Sequence, residues 1–160
     1  MNVHNISNEM TNKKGGDGEE IMQLFLEALG KLKHIDGVLI AHNMRHDYFA
    51  CWKELKVLGL QEGIQLLDAV RKDDTLHLPY LHAYARKFPK GNAMYLHRKH
   101  WGLKLSQMFT LLCADQPDIQ YLLQHQHAAE EDAEMCARIY LALQTSGITL
   151  NLYTAEELYK

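Results

Sequence analysis

Residues 125–133 read HQHAAEEDA, and within them His127 stands five positions ahead of Asp132. On a continuous α-helix a spacing of five turns two side chains about 140° apart. The pair can converge only if His127 lies on a loop ahead of a helix and Asp132 in that helix's first turns. On an unbroken helix His127 would meet Glu131 instead. The plainer reading is an ordinary helix start rich in Glu, which the helix dipole favours. A second candidate lies in LIAHNMRHDYF, residues 39–49. There an apolar strand runs into His42 and Asn43, and Asp47 follows at the start of a helix. In open α/β sheets ligands bind beyond the carboxyl ends of strands, so a carboxylate at Asp47 is placed to hold a metal ion. The plainer reading has Asp47 simply serve the helix N-terminus.

A third feature is a charge asymmetry hidden by the net charge of −3. From Thr75 to Ala114 there is no Asp or Glu, while Arg86, Lys87, Lys90, Arg98, Lys99 and Lys104 all fall there. Tyr84, Phe88, Tyr95 and Trp101 lie among these cations. Cations interleaved with aromatics suit a nucleic-acid single strand, because phosphates pair with the charges while bases stack on the rings. A solvated basic surface is the competing reading.

The elements that must carry these residues follow from periodicity. Asp17 and Glu20 have the spacing of a capping pair. Behind them Ile21, Leu24, Phe25, Ala28, Leu29 and Leu32 predict an amphipathic helix over 19–33. GVLIAH, 37–42, predicts a buried strand. Tyr48, Cys51, Trp52, Leu55 and Leu58 predict a helix over 46–58 that Gly59 can end. IQLL, 64–67, is a candidate second strand, and Pro79 and Pro89 break the basic middle. SQMFTLLC, 106–113, reads as a short helix. Ala129, Ala133, Cys136, Tyr140 and Leu143 share a face of a final long helix, with Gly147 past its end. ITLNLY, 148–153, alternates as a strand would. Helix, strand, helix, strand and further helices make an α/β pattern.

At 160 residues the chain fits one domain, 1–160, and its 47% apolar content is that of a globular protein. No apolar run approaches the ~18–20 residues of a membrane span. The opening residues carry no apolar core of a secretory signal. The three cysteines, Cys51, Cys113 and Cys136, are far apart and never in a CxxC pair. That argues against a disulfide framework or a zinc knuckle, and for a reducing, intracellular compartment, cytoplasmic or nuclear.

Taken together, His42-Asn43 with Asp47, and downstream His127-x-Ala129-x-x-Asp132-Ala133, resemble the second and third motifs of the DEDDh 3′–5′ exonucleases. These are proofreading-exonuclease relatives with an RNase H-like fold. HAAEEDA is especially similar to the third motif of the animal three-prime repair exonucleases. LKLSQMFTLL resembles the helix preceding that motif. Either DDTLHLPYLHAYARKFP, which contains Asp74, or LLDAVRK, which contains Asp68, resembles the segment after the family's next strand. VHNISNEM is similar to the segment after the third strand. The likeness spans about residues 3–143 and leaves 148–160 as a C-terminal extension.

The resemblance implies metal-dependent phosphodiester hydrolysis at a single-stranded 3′ end, with two Mg²⁺ or Mn²⁺ ions ~3.5–4 Å apart. It makes Asp47 and Asp132 metal ligands and His127 the general base, with His42 and Asn43 shaping the loop that presents Asp47. Arg86, Lys87, Lys90, Arg98, Lys99, Trp101 and Lys104 would bind the nucleic acid. The family's first motif, Asp-x-Glu on the first strand, is not in this sequence. Asp17-Gly18-Glu19 is the one Asp-x-Glu ahead of Asp47, and it sits in a polar loop. The N-terminal strands that would bear the motif are also missing, which leaves an open apolar strand edge. That edge could be covered by ITLNLY, by a second copy or by a partner chain. The expectation is therefore an exonuclease-family domain that is weakly active or inactive alone. The alternative is a non-catalytic module that binds single strands or serves as a partner subunit.

Overall fold

The structure, a computed structural model, describes residues 16–76, 104–147 and 158. Over these residues the chain is mixed α/β, mostly helical, with a small parallel sheet of two strands. The order is α1 (Gly18–His34), β1 (Val38–Ala41), α2 (Met44–Val57), α3 (Gln61–Ala69), β2 (Arg71–Asp74), α4 (Leu105–Leu112), α5 (Ile119–Gln124) and α6 (Ala129–Thr145). The residues group into two compact units. One contains 16–39 and 45–72, the other 40–44, 73–76 and 104–147.

In the first unit, Asp17 caps α1, its carboxylate accepting the Glu19 N–H at 2.9 Å. Acids fill the first turn and Lys31, Lys33 and His34 the last, matching both ends of the helix dipole. The helix ends with Asp36 in the left-handed region, φ +53°, and the Gly37 N–H reaching back to the Leu32 carbonyl at 2.8 Å. Arg71 secures this turn through the Asp36 carbonyl and carboxylate. The core-facing side of α1 differs from the expected one. Met22 and Leu29 are buried and Phe25, Leu26 and Leu32 half-buried, while Ile21 and Leu24 are 52% and 60% exposed. The apolar stripe is wider than the contact it makes, so its outer half stays open.

The expected helix after β1 runs from Met44 to Val57. Gly59, φ +72°, ends it, with the Leu60 N–H bonded to the Leu55 carbonyl at 2.9 Å. IQLL is not a strand. It lies within α3, where Ile64 and Leu67 are buried three residues apart while Gln65 faces solvent. α3 packs on α1. Gly63 sets that approach, since a Cβ there would stand 2.9 Å from Leu26 Cδ1 and 3.0 Å from Leu55 Cδ2. The second strand is the charged RKDD segment that follows.

In the second unit, α4 and α5 pack against α6 around Met108, Phe109, Cys113, Leu122, Met135, Ile139 and Leu143. Each such side chain contributes roughly 1.5–3 kcal/mol when fully buried. On α6 the buried residues are Met135, Cys136, Ile139, Tyr140 and Leu143, whereas Ala129 and Ala133 are exposed. Gly147, φ +68°, closes the helix as its position predicts. Arg138 ties α6 to the loop before α5 by paired bonds of 2.6 and 2.7 Å to Asp118, and a further one of 2.6 Å to Gln116. Among the described residues Cys51, Cys113 and Cys136 form no disulfide. No helix among the described residues is long and apolar enough to cross a membrane. ITLNLY, Pro79 and Pro89 lie outside the described residues.

Candidate functional site

α6 begins at Ala129, so His127 sits on the turn ahead of it and Asp132 in its first turn. His127 has a left-handed backbone, φ +76°. A non-glycine residue there costs about 1–2 kcal/mol. What holds it is Asp132, whose Oδ1 accepts the His127 N–H at 3.1 Å. The five-residue spacing is thus bridged by a bent turn that leaves His127 exposed and Asp132 half-buried. The acids Glu130, Glu131 and Asp132 together face the positive end of the α6 dipole.

Asp47 occupies the first turn of α2 and is exposed. It belongs to the first unit, His127 and Asp132 to the second. One turn on from Asp47, burial pushes the Cys51 thiol pKa up, and the Asp47 charge adds to the effect. His42 and Asn43 form the two-residue link between β1 and α2, with Asn43 at φ +92°. This link is tied to the end of β2. The Asp74 carboxylate accepts the N–H of Asn43 at 2.8 Å, of Met44 at 3.0 Å and of Leu76 at 2.8 Å. Thr75 adds its own N–H to the Ala41 carbonyl at 2.9 Å, and its hydroxyl meets His42 Nδ1 at 2.8 Å. Asp74 closes β2, whereas Asp68 lies inside α3. The two aspartates of the alternative family-like segments thus stand in different elements, and residues 77–89 of the segment that contains Asp74 lie outside the described residues.

A second polar cluster, in the first unit, carries no motif. Lys72 is 0% exposed, and its ammonium donates to the Val70 carbonyl at 2.6 Å and the Asp68 carbonyl at 3.1 Å. These are carbonyls at the C-terminal end of α3, where a cation is favoured. Its Nζ lies 5.6 Å from the centre of the Tyr48 ring, and the Tyr48 hydroxyl donates to the Asp68 carboxylate at 2.5 Å. Desolvation lowers the Lys72 pKa to about 8 despite the opposing pull of Asp68. Apolar periodicity gives no hint of Lys72, Asp73 or Asp74 as buried residues. The available signal was two consecutive aspartates followed by Thr, placed where a strand hands over to a turn.

Of the expected nucleic-acid contacts, Lys104 is exposed at the start of α4, its N–H bonded to the Gln107 side chain at 3.1 Å. Arg86, Lys87, Lys90, Arg98, Lys99 and Trp101 lie outside the described residues. Among the described residues no three His, Cys, Asp or Glu side chains are grouped to hold a metal ion. The described donors therefore do not by themselves fit a two-ion Mg²⁺ or Mn²⁺ site. Asp17 of Asp17-Gly18-Glu19 is engaged as the α1 cap. Comparison with protein-family models, curated proteins and solved structures gives no match.

Proposed function

We propose that this chain is a domain of the DEDDh 3′–5′ exonuclease type, of RNase H-like lineage, that engages the 3′ end of a nucleic-acid single strand. The observation that carries the reading is the turn-to-helix junction at His127 and Asp132. The left-handed turn at His127 brings its backbone N–H onto the Asp132 carboxylate, so a histidine on the turn and a carboxylate in the first turn of α6 share one junction. Asp47, exposed in the first turn of the helix after β1, supports it, as does the acid-free basic stretch that runs to Lys104. Phosphodiester hydrolysis of this type needs carboxylates beyond Asp47 and Asp132. The isolated chain is accordingly a binder of strand ends, and cleavage awaits the missing acids.

The test is binding of a 3′-labelled single-stranded oligonucleotide across a salt series, beside a circular single strand of the same length, with Mn²⁺ present. Affinity for the linear strand should fall steadily with salt and exceed that for the circle. Shortening of the label should be weak or undetectable. His127→Gly relieves the left-handed backbone while removing the imidazole, so it should fold and lose the preference for the linear strand. A flat salt response, or equal affinity for circle and line, would sink the proposal.

A further inference from the structure

Helix α5 and the turn that follows it carry an aromatic pair beside the His127 junction. Tyr121 is 54% exposed, and its ring lies 4.2 Å from that of the exposed His125, centre to centre, with 32° between the planes. The His125 ring is held in place. Its Nδ1 stands 2.8 Å from the Tyr121 carbonyl, which can only accept, so Nδ1 donates. Leu122 of the same helix is buried in the core, which anchors the element from which Tyr121 projects. His125 precedes His127 by two residues, a reach of at most about 7 Å along the chain. The Ala128 N–H bonded to the His125 carbonyl at 3.2 Å keeps the turn compact.

We infer that Tyr121 and His125 form a stacking platform for the terminal base of a single strand whose 3′ end lies at His127. The inference rests on the reading of the chain as a binder of strand ends. A solvent-exposed aromatic plane, pre-stacked on a second ring and fixed by a hydrogen bond, offers a base its face without first being ordered. Every base has such a face, so the platform recognises a nucleobase rather than a sequence.

The experiment measures affinity for a linear single strand that ends in a normal nucleotide and for the same strand with an abasic 3′-terminal nucleotide. The proteins are wild type, Tyr121→Ala and Tyr121→Phe. Tyr121→Ala should weaken binding of the normal strand by about 5- to 150-fold, the range for one lost stack. Tyr121→Phe, which keeps the ring, should stay within about threefold. The abasic strand should bind wild type about as weakly as the normal strand binds Tyr121→Ala, and Tyr121→Ala should not distinguish the two strands. Salt-sensitive binding that is indifferent to Tyr121→Ala or to the missing base overturns the platform and leaves the strand-end reading standing. Absence of any binding by wild type overturns both.

Discussion

Asp74 and Asp132 both turn a carboxylate onto backbone N–H groups at the start of a helix, but in different degrees. Asp74 is buried and accepts three N–H groups, from Asn43, Met44 and Leu76. Asp132 is half-buried and accepts one, from His127 at 3.1 Å. An ionised carboxylate has about four acceptor positions. The first is nearly saturated by its own backbone and acts as a structural bolt. The second satisfies one strained turn and leaves most of its acceptor positions without a backbone N–H. A carboxylate's neighbours in sequence do not separate these roles; the number of N–H groups aimed at it does.

The largest effect should come from attacking the saturated carboxylate. Asp74→Ala strands three N–H groups and should cost about 3 kcal/mol, read as a lower urea midpoint at unchanged slope. Asp132→Ala should cost no more than about 1 kcal/mol, the usual worth of a cap, while abolishing the preference for linear strands. Equal costs at the two positions would break the contrast. Lys72 extends it to a buried cation. Its folded pKa of about 8 lies below the ordinary 10.5, so between those values the unfolded chain holds a proton that the folded chain has released. Stability should therefore rise as pH climbs through that window, by at most about 1.4 kcal/mol per pH unit, and Lys72→Met should remove the rise. A thermal melting series from pH 7.5 to 10 on both proteins checks the sign. The smallest effect belongs to the half-buried pair of Arg138 and Asp118. Hydrogen bonding from Arg138 holds the Asp118 carboxyl below the usual range. Arg138→Gln should return its NMR titration towards ordinary values with little change in stability.

Much of the architecture was readable because its apolar pattern repeats with a clear period. The helices at 18–34, 44–57, 105–112 and 129–145 and the strand at 38–41 follow their expected spans within two residues. The five-residue spacing left His127 either on a loop or on the helix itself, and the start of α6 at Ala129 selects the first. What failed was β2. IQLL is apolar enough to suggest a strand, yet four residues cannot separate a buried strand from one face of a helix. RKDD reads as solvent-facing, yet three of its residues are buried. Their charges are tolerated inside because backbone carbonyls take the Lys72 ammonium and backbone N–H groups take the Asp74 carboxylate. Such long-range compensation leaves no periodic trace. The exposed outer half of α1 was misread for a related reason, since a pattern shows which residues are apolar and not how wide their contact is.

The three N–H groups on Asp74 also make a kinetic statement. Asn43 and Met44 lie in one stretch of the chain and Leu76 in another, yet no one of these amides can meet water through the Asp74 side without disturbing the acceptor of the other two. In native-state hydrogen exchange they should open as one cooperative set, slower than the single amide of His127. The link between the first strand and its helix would then have no lifetime of its own, only that of the strand end to which it is bound.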